Sequence, residues 1–282
     1  MDAFMSGQET VAGLTREVAA GVGFLRRAGD PEAPTLVLLH GIGSNAASFA
    51  ALAAAMPAPL NVVAWDAPGY GASVPLAAAM PTPRDYADAL ARFLVSINAP
   101  QIALAGHSLG ALLAGSFAVR YPDRVILLAL ISPALGYGVA PGGKLPPGVQ
   151  SRIDEINTLG PAAFASKRAA RLVGEPKARP DIVAAVERAM AAVNPRGYIQ
   201  AVHALGAGRL LEDVKSIRIP VMVAVGALDQ ITPPANAVEL HAALPLSAGY
   251  YQIANAGHAL PQEEPSALAA LLARTMDTMA HA

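Results

Sequence analysis

A serine, a histidine and a carboxylate in the right mutual geometry can split an acyl bond, and the chain offers one strong candidate of each. Ser108 stands in Gly106-His107-Ser108-Leu109-Gly110, between the apolar run Ile102 to Ala105 and the Ala- and Leu-rich segment Leu109 to Arg120. The first reads as a buried strand and the second as a helix, so the chain must turn sharply at the serine. Such a turn strains the backbone at Ser108 and requires small residues on either side, which Gly106 and Gly110 supply. It also holds the hydroxyl at the tip of a sheet, with the Leu109 N–H beside it at a helix N-terminus.

A serine hydroxyl is a weak nucleophile at neutral pH and needs a base that a third group orients. The chain has six histidines. His258 is the expected base. It follows the last apolar run, framed by Gly257 and Pro261, at the sheet edge where Ser108 sits. His107 lies inside the turn and should point away from Ser108; as a neighbour of the nucleophile it is a candidate substrate contact. His40 ends a strand, His241 sits mid-helix and His281 lies at the terminus. His203 falls in a helical segment, where substrate contact and packing are both open.

The orienting acid should come from a strand end between Ser108 and His258. Asp229 fits, just past Val225 in a loop with Thr232 and two prolines. Asp66 also ends a strand but precedes the serine and opens Pro68-Gly69-Tyr70-Gly71, where Asp commonly ties down its own backbone. An acyl-transfer transition state further needs oxyanion donors. Leu109 N–H is one, and His40-Gly41-Ile42-Gly43 should supply the other. Ile42 is the preferred donor and Gly43 the second, with Gly41 and Gly43 letting the backbone approach substrate.

The rest of the chain reads as the frame for these residues. Thr35 to Leu39, Asn61 to Trp65, Ile102 to Ala105, Val125 to Ile131 and Val221 to Val225 are continuous apolar runs, each followed by a helical pattern. That alternation predicts an α/β fold, a mostly parallel twisted sheet covered by helices on both faces. Val22 to Arg26 reads as an edge strand and residues 1–20 as a loose start. After Ser132-Pro133 the pattern is only helical, through 151–159, 161–173, 180–192 and a helix beginning near Asn194-Pro195. The expected division is a core of residues 1–136 and 213–282 with an inserted helical cap of 137–212.

Composition narrows the chemistry. A net charge of −1 argues against nucleic acid or an anionic membrane as the main partner, since both need basic surface. With no cysteine, thiolate nucleophiles, thiolate metal sites and disulfides are excluded. The start of the chain, with Asp2, Glu9 and Arg16, does not read as a signal peptide. Val125 to Leu135 is too short to span a bilayer. The expectation is a cytoplasmic enzyme with a small-molecule substrate, no membrane insertion, no metal and no cofactor. Apolar residues at helical spacing in 137–212 predict a chiefly apolar pocket, with Lys144, Arg152, Lys167 and Arg168 mostly facing solvent.

The chain resembles an α/β-hydrolase. The likeness lies in His40-Gly41-Ile42-Gly43, Asp66 to Ser73, Gly106 to Gly110, Gly226-Ala227-Leu228-Asp229 with Thr232-Pro233, and Gly257-His258 followed by Glu264-Pro265. The resemblance implies a Ser108–Asp229–His258 triad with oxyanion donors at Leu109 and Ile42. Ser108 stands where haloalkane dehalogenases and epoxide hydrolases carry Asp. Ala259 stands where meta-cleavage C–C hydrolases commonly carry Trp. The expected activity is hydrolysis of carboxylic esters with short to medium apolar acyl groups. A lactonase or C–C bond hydrolase with the same triad is the alternative, and a non-catalytic small-molecule receptor the remote one.

Overall fold

The computed structural model describes residues 10, 11 and 13–280. Their strands are β1 (Thr10–Val11), β2 (Leu14–Ala19), β3 (Val22–Arg27), β4 (Thr35–Leu39), β5 (Asn61–Trp65), β6 (Ile102–His107), β7 (Val125–Ile131), β8 (Val221–Gly226) and β9 (Ser247–Ile253). They form one sheet in the order β1-β2-β3-β5-β4-β6-β7-β8-β9. From β5 to β9 every pair is parallel; β1, β2 and β3 run antiparallel to their neighbours. The α/β architecture expected from the apolar runs is the one found.

Two expectations at the start of the chain need correction. β3 is not an edge strand, because it lies between β2 and β5. Residues 14–19 are not loose either: they pair with β3 across a tight turn in which Ala20 (φ 48°) and Gly21 (φ 74°) are both left-handed. That turn matches the twist of a hairpin. β2 carries the polar Thr15, Arg16 and Glu17 at partly exposed positions, so no apolar run announces it.

The helices are α1 (Ala50–Ala55), α2 (Pro83–Ser96), α3 (Leu109–Arg120), α4 (Pro147–Arg168), α5 (Pro180–Ala191), α6 (Pro195–Ala207), α7 (Leu210–Asp213), α8 (Pro234–Ala242), α9 (Leu260–Glu263) and α10 (Pro265–Ala280). Strand periodicity decides which face each covers. In β4, Val37 and Leu39 join the core with Leu90 and Phe93 of α2 and Leu112 and Phe117 of α3. Leu36 and Leu38, one step out of phase, meet Leu52 of α1 and Leu268 and Leu272 of α10. α3 is buried from Leu109 through Ala118, as a helix apolar on all sides must be.

Between β7 and β8 the chain contains only helices and turns. α4 breaks at Gly160 (φ 72°, ψ 167°), so 147–159 and 161–168 are separate rods, which the Gly160-Pro161 pair dictates. α2 begins where the Asp85 carboxylate accepts the Thr82 N–H at 2.7 Å, and α6 where Asn194 Oδ1 accepts the Arg196 N–H at 2.9 Å. Among the described residues no helix is long and apolar enough to cross a membrane.

Candidate active site

The carboxyl ends of β6, β8 and β9 bring three side chains together. Ser108 follows β6 with φ 55° and ψ −115°, conformational strain of about 1–3 kcal/mol for a residue with a Cβ. Its N–H donates to Ile131 O of β7 at 2.9 Å, which anchors the turn to the sheet. A Cβ at Gly110 would overlap the carbonyl of Leu39, and one at Gly106 would overlap the carbonyl of Gly110. Gly110→Ala is therefore expected to destabilise the protein by more than about 4 kcal/mol, into the range reserved for severe packing defects. Thermal melting, or the soluble yield if the variant does not fold, checks this.

Ser108 Oγ lies 3.0 Å from His258 Nε2, and His258 Nδ1 lies 2.9 Å from Asp229 Oδ2. All three residues are buried. An ionised carboxylate only accepts, so Nδ1 carries the proton and Nε2 is left to accept from the serine hydroxyl. Burial alone would raise the Asp229 carboxyl. The facing His258 ring and the N–H groups of Thr232 and Ile231 outweigh it and hold the carboxyl at about 2. Those N–H groups reach Asp229 Oδ1 at 2.9 and 2.8 Å.

Thr232 Oγ1 sits 3.0 Å from Asp229 Oδ2, 3.1 Å from His258 Nδ1 and 2.9 Å from Ser132 O. It clamps the carboxylate and the ring to the end of β7. Glu263 fixes the loop from the other side. Its carboxylate accepts the N–H of Gly257 and of Gly174, each at 2.9 Å. The sequence drew attention to Glu264, but the carboxylate that holds the histidine loop is one residue earlier, in the turn of α9.

The remaining candidates occupy different places. Ile42 and Leu109 line the cavity beside Ser108. Leu109 is the first residue of α3, so its N–H has no acceptor within that helix. Gly41 and Gly43 face a small crevice of about 30 Å³ instead of the main cavity. His107 also turns away from the main cavity, as its place in the turn predicts, and its Nε2–H donates to His258 O at 2.7 Å. It is not among the residues that line the main cavity. Asp66 ties down Ala46 N–H (2.8 Å) instead of its own turn. His40 Nδ1–H donates to Gly41 O at 2.8 Å and its Nε2 accepts from Ala67 N–H at 3.0 Å. His203 does not line the main cavity, His241 bonds Ser247 at 2.7 Å, and His281 lies outside the described residues.

Burial, reinforced by the neighbouring His258 ring, pushes His107 down to about 3. An unfolded histidine takes a proton near its ordinary 6.5. As pH falls below about 6.5 the unfolded chain gains a proton that the folded protein refuses until about 3. The stability present above that window is lost progressively within it. His40, lowered by burial, acts in the same direction. His107→Gln keeps a donor for His258 O and removes one titration. Its denaturant midpoint is expected to fall less than the wild type's between about pH 7 and pH 4; equal falls would contradict this account.

The cavity over Ser108 has a volume of about 390 Å³. Leu135, Leu172, Met190, Tyr198 and Leu205 form much of its wall, together with Arg152, Arg168 and Arg171. The expectation that Arg152 and Arg168 face solvent is thus corrected, and Arg171 was not foreseen. Arg152 and Arg168 of α4 are half-buried against the cavity, while Arg171, in the turn that follows, is exposed and stands at its rim.

The profile of a family described as serine aminopeptidase, S33, matches residues 30–265. A pimeloyl-[acyl-carrier protein] methyl ester esterase of Chromobacterium violaceum is 29% identical over 236 residues, covering 81% of this chain and 88% of that protein. An enol-lactonase structure from Burkholderia xenovorans LB400 superposes with a TM-score of 0.82 at 22% identity, covering 93% and 99% of the two chains. A thermophilic esterase from Thermogutta terrifontis gives 0.81 at 20% identity, covering 94% and 98%. At those identities the two structures speak to the fold alone.

Proposed function

This chain belongs to the serine aminopeptidase S33 family of α/β-hydrolases, and we propose that it hydrolyses carboxylic esters through an acyl-enzyme on Ser108. The observation that carries this reading is the unbroken hydrogen-bond path from Ser108 Oγ through His258 to Asp229, at 3.0 and 2.9 Å. Ser108 Oγ attacks the acyl carbon while His258 Nε2 takes its proton. The oxyanion is held by the N–H groups of Leu109 and Ile42, a contribution of about 3–4 kcal/mol per donor in comparable sites. His258 then protonates the leaving alcohol. Water attacks the acyl-enzyme with His258 again as base, and the acid is released. Asp229 keeps the ring in the tautomer this sequence of steps requires.

The helical segment 137–212 acts as a cap in this reading, since its residues supply much of the cavity wall. A cavity near 390 Å³ lies at the small end of ligand pockets, which favours acyl groups of short to medium length. Product analysis on an ethyl ester series from acetate to decanoate, with small lactones and vinylogous diketones alongside, tests the assignment. Acid and alcohol released from the shorter esters is the expected result. Turnover of the diketones alone would overturn it in favour of C–C bond hydrolysis.

A further inference from the structure

The cavity above Ser108 has an unmatched charge. Three arginines line it, the half-buried Arg152 from α4 and Arg168 at its end, and the exposed Arg171 at the rim from the turn that follows, and no Asp or Glu is among the lining residues. Arg168 is already engaged. Its Nε and a terminal nitrogen reach Glu155 Oε2 at 2.9 and 2.7 Å, and its guanidinium lies 4.8 Å over the Phe164 ring. Glu155 also takes Lys167 at 2.9 Å, so one carboxylate already answers two cations. Arg152 is turned to the Tyr198 hydroxyl, a neutral partner. Among the described residues neither Arg152 nor Arg171 pairs with a carboxylate.

We infer that the substrate ester carries a carboxylate, and that Arg171 and Arg152 bind it at the α4 side of the cavity. This inference rests on the serine-esterase reading above and names its substrate class. Arginines that served only solubility would have no reason to converge on the one cavity that holds Ser108. A wall with two uncompensated guanidiniums favours an anion, which it meets through charge-assisted, fork-shaped hydrogen bonds. The wall formed by Ile42, Leu135, Leu172, Met190 and Leu205 suits a hydrocarbon spacer between that carboxylate and the ester. The substrate is therefore a small half-ester, with a few methylenes between its charge and its scissile bond. The charge can reside in the acyl half, as in a dicarboxylic acid monoester, or in the alcohol half, as in an acylated hydroxy acid.

The test compares kcat/KM on matched charged and neutral esters. The acyl arm sets monoethyl glutarate and monoethyl adipate against ethyl valerate and ethyl hexanoate. The alcohol arm sets 4-butyryloxybutyrate against its methyl ester. In one arm the charged ester is expected to be preferred by about tenfold or more, the scale of a charge-assisted hydrogen bond in a partly open site. The preference should shrink in about 0.5 M salt. The ratio of charged to neutral kcat/KM should fall toward one in Arg171→Gln and in Arg152→Gln, and below one in Arg171→Glu. A ratio near or below one in both arms of the wild type, with neutral esters turned over, overturns this inference and leaves the esterase reading intact. A ratio unchanged in all three variants also overturns it. No turnover of any ester by folded wild-type protein overturns the esterase reading and this inference together.

Discussion

Ser108→Ala lowers kcat on a short-chain ethyl ester by about a million-fold, the scale of loss when a serine nucleophile is removed from an intact triad. What remains is the residual catalysis of the oxyanion donors and of substrate positioning. The fold should survive the change. Ser108 is buried, but its hydroxyl makes a single side-chain hydrogen bond, to His258. The anchoring bond to Ile131 uses the backbone N–H and is untouched. Alanine must still adopt φ 55° at this position, so strain is neither added nor relieved. The melting temperature is expected within a few degrees of wild type, measured on the protein used for kinetics. Wild-type rates in purified Ser108→Ala protein would refute the mechanism.

Asp229→Asn comes next in size, with an expected loss of about ten-thousand-fold in kcat. An amide facing His258 Nδ1 favours the wrong tautomer and cannot balance the imidazolium formed during attack. The two N–H groups on Asp229 Oδ1 would still find an acceptor, so the loop should hold its shape. Asp66→Asn is the paired control. Asp66 is buried, accepts the Ala46 N–H at 2.8 Å and lies 3.7 Å from Arg16, contacts that belong to folding. Its substitution should cost about 1–3 kcal/mol of stability and at most a few-fold in rate. If kinetics and melting curves assign the large rate loss to Asp66, the acid is misidentified.

Much of this site was legible because each piece announces itself locally. Gly106 and Gly110 flank Ser108 because any Cβ there meets backbone, that of the turn itself at Gly106 and that of the adjacent β4 end at Gly110. The strands from β4 to β8 are continuous apolar runs because the sheet is covered on both faces. The break in α4 follows from Gly160-Pro161. What stayed hidden depends on partners distant in sequence. β2 presents polar residues and is a strand because β3 pairs with it. The Glu263 carboxylate matters because α9 carries it to Gly257 and Gly174, and nothing in its neighbours marks it. His107 becomes a donor to His258 O because the loop after β9 packs against it, a partner 151 residues away that its neighbours in the chain do not mark. Arg152 and Arg168 look solvated by spacing, yet the packing of α4 against α5 and α6 leaves them half-buried at the cavity wall.

The central claim is that Ser108 becomes covalently acylated with His258 as its base. Treatment with a fluorophosphonate, followed by intact mass and peptide mapping, tests it without knowledge of the natural substrate. One adduct per chain on the peptide containing Ser108 is the predicted result, absent in Ser108→Ala and greatly slowed in His258→Ala. A folded wild-type protein that takes no label, or a Ser108→Ala protein labelled to the same extent, would contradict the account.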